Sequence, residues 1–332
     1  MMKDPLLSLK GLTVSFQTDE GILRAVEDVS FDIYSGEIVG LVGESGCGKS
    51  VTALSILRLI PSPPGRIENG SILFRGADLL PMPSEAIRDI RGKAISMIFQ
   101  EPLSALSPLQ RIGRQMMEVL QLHKNVSNKD AWKISEEWLE KVKIADAAER
   151  MYAYPYQLSG GMQQRIMIAM ALMMNPMLLI ADEPTTALDV TIQAQIFRLV
   201  LAMKQAQTAI LLITHDMGVV WEMCDRVLVM YASRVVESGP KRELFSAPAH
   251  PYTAGLLKSI PRLSDGKGGP LDTIPGMVPS PENYPSGCRF HDRCPYAFDR
   301  CKRELPQLTS VSADHQAACF IAGKFKTDGV LA

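Results

Sequence analysis

The stretch GESGCGKS, residues 43–50, decides the fold of this chain. It fits the pattern G-x-x-x-x-G-K-[ST], in which glycines let a loop wrap around phosphate oxygens and turn its N–H groups inward. The apolar run 37–42 predicts a buried strand before the loop, and a helix is predicted from about 50 to 59 after it. The predicted nucleotide-binding set is Gly43, Glu44, Ser45, Gly46, Cys47, Gly48, Lys49, Ser50 and Val51.

Two residues of the loop have chemical roles in this pattern. We expect Lys49 to reach the β- and γ-phosphates of a nucleotide, and Ser50 to bind Mg²⁺. Cys47 is interpreted as a small loop residue rather than a redox group.

A second motif, which carries two carboxylates, lies further along the chain. The apolar run Met177 to Ala181 predicts a buried strand that ends at Asp182-Glu183. A carboxylate at such a strand end holds Mg²⁺, so Asp182 is the predicted metal ligand. The adjacent Glu183 is predicted to orient the attacking water as a base. We expect this motif and the glycine loop to meet at one Mg-nucleotide.

The order of predicted elements indicates an α/β class. Alternating segments 6–17 and 25–34 predict antiparallel strands, and later strands alternate with helices, which favours a parallel sheet covered on both faces. Residues from about 105 to 158 have helical spacing and predict an inserted helical subdomain. Residues 261–287 are rich in Pro and Gly and are predicted to be extended or loop-like.

Composition restricts the classes of function. The 332 residues carry 35 Lys plus Arg and 36 Asp plus Glu, a balance that argues against a broad nucleic-acid surface. No signal peptide and no run of about 20 apolar residues is visible. We therefore expect that the chain does not span a membrane, and that any membrane work is done through partner subunits.

The segment Leu158 to Arg165, LSGGMQQR, closely resembles the signature of ABC ATPases, with Met at the usual Gln position. Together with the preceding motifs, it gives a resemblance to an ABC nucleotide-binding domain over residues 6 to about 250. The resemblance implies a contact to Mg²⁺ or water for Gln100, a γ-phosphate contact for His215, adenine stacking for Phe16, and a D-loop at Ala187-Leu188-Asp189. It also implies that Ser159, Gly160 and Gly161 close on the nucleotide of a second ATPase subunit, a copy or a paralogue.

The C-terminal residues narrow the resemblance to one subfamily of ABC ATPases. His250-Pro251-Tyr252-Thr253, Ile274-Pro275-Gly276 and the cysteine segments that follow resemble oligopeptide and dipeptide importer ATPases, with a dipeptide importer subunit the nearest type. Cys288, Cys294, Cys301 and Cys319 have the spacing C-x5-C-x6-C-x17-C, which lacks the tight pairs common in zinc sites. The resemblance favours a 4Fe-4S cluster, with Zn²⁺ or unligated thiols as alternatives. His291 and His315 are interpreted as surface residues.

The predicted fold is a P-loop NTPase (ABC ATPase) core with an antiparallel β subdomain, a helical subdomain at about 105–160 and a small cysteine-rich C-terminal domain. The predicted domains are residues 1–255 and 256–332. The resemblance implies an ATP-hydrolysing translocase subunit for di- or oligopeptide import, peripheral on the cytoplasmic face of a bacterial inner membrane. It would work with two transmembrane permease subunits and an extracytoplasmic substrate-binding protein. The alternatives are an importer of nickel or another small solute and, from a different class, a non-transport ABC ATPase.

Overall fold

The structure is a computed structural model that describes residues 4–101, 105–185, 190–260 and 273–325, without the side chains of residues 190–192. It divides into two compact units, Met1–Pro81 with Leu212–Ala332, and Met82–Leu211. No helix in the described ranges is long and apolar enough to cross a membrane.

The first unit contains an antiparallel sheet with the strand order β2-β1-β4-β5. Its strands are β1 Leu7–Thr18, β2 Gly21–Ile33, β4 Gly65–Phe74 and β5 Ala77–Asp78. Strands β1 and β2 form a hairpin in which Phe16 pairs with Leu23 and Thr18 with Gly21. The alternation in the two segments predicted these strands correctly, because one face packs against the core and the other is polar.

The same unit holds part of a second sheet. Strand β3, Ile38–Val42, is buried along its whole length and runs parallel to β9, Arg226–Tyr231. Strand β9 is antiparallel to β10, Arg234–Pro240, whose other neighbour is the short strand β12. The C-terminal strands are β11 Thr309–Ser310 and β12 Gln316–Ala317. The C-terminal segment thus extends this sheet beyond β10.

Helices of the first unit connect these strands. They are α1 Lys49–Ile56, α8 Met217–Met223, α9 Lys241–Ser246, α10 Pro251–Lys258 and α11 Asp299–Arg303. Short 3-10 turns occupy Pro281–Asn283 and His291–Arg293. The predicted loop character of 261–287 is confirmed for 273–287, where the 281–283 turn is the one regular element. Residues 261–272 lie outside the described ranges.

The second unit is mainly helical around a pair of parallel strands, β6 Ile95–Ile98 and β7 Leu178–Asp182. Its helices are α2 Ser84–Ile90, α3 Ile112–His123, α4 Asn128–Lys141, α5 Ala147–Arg150, α6 Gly160–Leu172 and α7 Val190–Met203. Strand β8, Ala209–Ile213, contains the boundary between the units. The sequence analysis did not identify α2, a seven-residue helix with a single buried side chain, Ile87.

Candidate active site

The glycine loop at residues 43–48 connects the buried strand β3 to helix α1. Two of its glycines are required by close backbone approaches. A side chain at Gly43, where φ is +149°, would place its Cβ 2.2 Å from the Met230 carbonyl oxygen. At Gly48, where φ is +104°, a Cβ would lie 2.2 Å from the Ala25 carbonyl oxygen. The loop can therefore take this path only with glycine at both positions.

Lys49 is buried and lies at the start of α1. Its ammonium group donates to the carbonyl oxygens of Gly43, at 2.8 Å, and Glu44, at 3.0 Å. Ser50 and Val51 follow in the first turn, where backbone N–H groups and the positive end of the helix dipole favour anions. A cation and a helix N-terminus at one loop form a geometry that suits the phosphates of a nucleotide.

Cys47 lies in the loop with its side chain fully buried. Burial raises the pKa of its thiol, so the group stays protonated and unreactive at neutral pH. This supports its interpretation as a small loop residue.

Phe16 and His215 also belong to the first unit. The Phe16 ring is half-buried, and a Cβ at Gly65 on the neighbouring strand would lie 3.0 Å from it. His215 is exposed and lies two residues after the end of β8. The next residue, Asp216, caps α8 by accepting hydrogen bonds from the N–H groups of Gly218 and Val219. The cap fixes the backbone immediately after His215.

The carboxylates lie at the end of β7 in the second unit. Asp182 is 5% exposed and is the last residue of the strand. Glu183 has a φ of +43°, an uncommon value for a residue with a side chain. Its carboxylate accepts a hydrogen bond of 3.1 Å from the Gln100 side-chain amide. The structure therefore brings together two of the predicted site residues, Gln100 and Glu183, within this unit.

The LSGG segment begins helix α6. Ser159 is the N-cap residue and its hydroxyl accepts from the Met162 N–H at 3.4 Å. Ser159 and Gly160 are both exposed, and a Cβ at Gly160 would have no neighbour within 4 Å. An exposed helix N-terminus of this kind presents unpaired N–H groups to an incoming anion. The predicted D-loop, Ala187-Leu188-Asp189, lies outside the described residues.

Gln164 has a structural role that was not predicted from the sequence. This side chain is 2% exposed, and its amide donates a hydrogen bond to the carbonyl oxygen of Pro184, the residue after Glu183. The helix of the LSGG segment is thereby connected to the backbone that carries the predicted base. A buried glutamine in an apolar helix was the signal available in the sequence, since such a group needs a hydrogen-bond partner.

The four C-terminal cysteines line one small cavity in the first unit. Burial raises the pKa of the Cys288 thiol to about 11 and that of Cys319 to about 12, and neighbouring thiols add to both shifts. A cation or cluster would offset this cost of ionising four thiols together. Across the described residues, however, no three His, Cys, Asp or Glu side chains are arranged to hold a metal ion.

The two histidines of this segment are not surface residues, so that interpretation was wrong. His315 is 3% exposed and its Nε2 donates to the buried carboxylate of Glu237 at 2.7 Å. His291 has an 11% exposed side chain, and its Nδ1 lies 2.8 Å from the Cys288 carbonyl oxygen. The partner of His315 is 78 residues away in sequence, and the partner of His291 lies three residues before it across a turn. The hydropathy of the sequence does not reveal either contact.

Comparison with known proteins adds two family matches. Residues 26–186 match the model described as ABC transporter. Residues 236–301 match the model of the oligopeptide/dipeptide transporter C-terminal region.

Curated relatives match nearly the whole chain. A probable peptide ABC transporter ATP-binding protein, y4tR, of Sinorhizobium fredii is 49% identical over 318 residues, covering 96% of this chain and 95% of the relative. The oligopeptide transport ATP-binding protein OppD of Escherichia coli is 48% identical over 318 residues, covering 96% and 93%.

Among solved structures, a dimeric ATP-binding cassette in a post-hydrolysis state with ADP and Pi, MJ0796, is similar with a TM-score of 0.64. It is 27% identical, and the match covers 71% of this chain and 99% of the cassette.

Proposed function

Because this chain belongs to the family of ABC transporter ATP-binding subunits, we propose that it hydrolyses ATP to drive the import of peptides through a membrane permease. Its fold is the ABC ATPase P-loop fold. The observation that carries the proposal is the combination of 48–49% identity to named peptide transport ATPases over 96% of the chain with a matching C-terminal region.

The proposed roles of Lys49, Gln100 and Glu183 are supported by their hydrogen bonds, and those of the other site residues follow from the family. Lys49 binds phosphate oxygens, since its ammonium group is held at the loop by two carbonyls. Ser50 and Asp182 would each be a ligand of Mg²⁺, which would supply charge stabilisation. Glu183 polarises the attacking water, and Gln100 orients the Glu183 carboxylate through their hydrogen bond. His215 contacts the γ-phosphate, and Phe16 stacks on the adenine.

The active unit is a pair of ATPase subunits. The exposed residues Ser159 and Gly160 at the start of α6 support this proposal, because the N-terminus of this helix is accessible to a nucleotide held by another copy or a paralogue. The pair acts on two permease subunits, with a substrate-binding protein on the far side of the membrane. The chain is therefore peripheral on the cytoplasmic face, with an ATPase domain at residues 1–255 and a C-terminal domain at residues 256–332.

The C-terminal cysteines hold a 4Fe-4S cluster in this proposal. Their shared cavity and their chemistry as thiols supply a suitable donor set. Zn²⁺ and unligated thiols stay the alternatives, and the described residues contain no preformed group of three metal ligands.

Reconstitution tests the main proposal. The chain would be assembled with its permease and substrate-binding subunits in proteoliposomes, and ATP hydrolysis and peptide uptake would be measured together. We expect hydrolysis to rise when dipeptides or oligopeptides are added, with uptake into the lumen. Stimulation by Ni²⁺ or another small solute but not by peptides would reject the peptide substrate, and assembly with no permease would reject transport.

Metal analysis tests the cluster. Anaerobically purified protein should contain iron and sulfide and show broad visible absorbance. Cys319→Ser should lower the iron content, whereas Cys224→Ala, a buried cysteine outside the set, should retain it. Colourless protein with stoichiometric zinc would reject the cluster.

A further inference from the structure

A partly buried ion pair joins the phosphate loop to the cysteine-bearing segment within the first unit. The Arg293 guanidinium donates to both carboxylate oxygens of Glu44, at 2.8 and 3.0 Å. The Arg293 side chain is 6% exposed and that of Glu44 31% exposed. Such bidentate, charge-assisted pairs fix geometry as well as contribute energy. Glu44 belongs to the loop by sequence, and its partner lies 249 residues away.

The guanidinium is fixed on its other side as well. Its Nε donates to the Pro275 carbonyl oxygen at 2.9 Å, and one Nη lies 3.4 Å from the Tyr231 hydroxyl. Arg293 itself ends the short turn His291–Arg293 between two of the four cysteines. The backbone N–H of the first of these, Cys288, donates to the Cys301 carbonyl oxygen at 2.8 Å. The arginine is therefore held by hydrogen bonds on the side away from Glu44 as well.

The backbone of Glu44 has a second C-terminal partner. Its N–H donates to the Tyr252 hydroxyl at 2.8 Å, and the Tyr252 side chain is fully buried. The carbonyl oxygen of Glu44 accepts from the Lys49 ammonium group. Consequently one loop residue is held at its side chain and N–H by the C-terminal segment, and its carbonyl holds the phosphate-binding lysine.

We propose that Arg293 is a positioning residue that holds the phosphate loop, through Glu44, in the shape that binds the phosphates of ATP. The C-terminal segment thereby sets the affinity of the chain for nucleotide. The inference rests on the proposed role of residues 43–51 as the ATP site. A purely structural role would lower stability, whereas this role raises the KM for ATP with a smaller change in kcat and couples Arg293 energetically to Glu44.

The test is a double-mutant cycle in the full chain, alone and in the transporter complex. Arg293→Gln, Glu44→Gln and the double variant would be compared for Mg-ATP affinity and for KM and kcat. We expect each single variant to weaken ATP binding about tenfold, the scale of a lost charge-assisted hydrogen bond, and the double variant to be no worse than either. The matched control is Arg303→Gln, whose ion pair with Asp299 is exposed and should leave binding unchanged.

Two further variants keep the result interpretable if Arg293→Gln does not fold. Arg293→Lys retains the charge but loses the bidentate geometry, and Tyr252→Phe removes the acceptor for the Glu44 N–H. Both should raise the KM for ATP. Wild-type affinity in these folded variants, or losses that multiply in the double variant, would overturn the inference. Failure of the wild-type chain to bind Mg-ATP would instead reject the proposed ATP site.

Discussion

Replacement of Glu183 by Gln separates nucleotide binding from hydrolysis. The two side chains have nearly the same shape, and the new amide oxygen can still accept the hydrogen bond that Gln100 donates at 3.1 Å. The Lys49 contacts to Gly43 and Glu44 do not involve this residue. The substitution therefore removes the ability to take a proton and leaves the local geometry in place.

The expected loss follows from the role of a positioned base. General-base catalysis contributes about 10²–10⁴-fold, which corresponds to about 2.7–5.4 kcal/mol in the activation barrier. We expect Mg-ATP affinity to stay within about threefold of wild type, since the change of barrier is confined to the chemical step. The strained backbone at Glu183, with φ at +43°, is retained by either side chain.

The assay is single-turnover hydrolysis of ATP by the assembled transporter, with binding measured separately by titration. Glu137→Gln is the matched control, because this carboxylate is exposed on α4 and should keep wild-type turnover. Hydrolysis by Glu183→Gln within twofold of wild type would refute the base. A parallel loss of ATP binding would show that Glu183 acts as a ligand or a structural residue instead.

Three other predictions test separate parts of the structure. Gly160→Ala should keep the melting temperature and the ATP affinity of the isolated chain, since a Cβ there meets no atom within 4 Å, yet lower paired hydrolysis at least about tenfold in activity assays. Gly48→Ala should abolish ATP binding and lower the melting temperature, because its Cβ would lie 2.2 Å from the Ala25 carbonyl oxygen. Burial lowers the pKa of His250 to about 4. Between pH 6.5 and pH 4 the unfolded chain therefore binds a proton at this histidine and the native chain does not. Stability to urea should therefore fall as the pH drops from 6.5 towards 4, and less steeply in His250→Asn, where Asn can still cap α10.

Local sequence patterns predicted the central elements because interactions between residues close in sequence form these elements. The loop at 43–50 and the strand before Asp182 are each specified by a short run of residues, and the described structure has both with boundaries shifted by one or two positions. Helix α6 likewise begins at Gly160, with Ser159 as its N-cap. Caps, glycine turns and apolar runs act within a few residues, so a single sequence carries them.

The contacts that fix the loop were not predictable in this way. Glu44 pairs with Arg293 across 249 residues and with the Tyr252 hydroxyl across 208. No pattern of neighbours distinguishes Arg293 from Arg289 and Arg300 of the same segment, which pair with Glu27 and Glu304 respectively. Only the folded path of the C-terminal chain decides which arginine meets the loop.

Buried charge explains why the C-terminal segment must stay packed on the first unit. Glu237 on β10 is 0% exposed, and its carboxylate accepts from the N–H groups of Ala249 and His250 as well as from His315. Removing one partner of a buried charge typically costs about 3–5 kcal/mol, a large fraction of the stability of a domain. Strand β12 also covers the edge of β10 beside this carboxylate. Detachment of the segment would leave Glu237 without His315 and leave Glu44 without Arg293, so the same packing that satisfies the core also holds the phosphate loop.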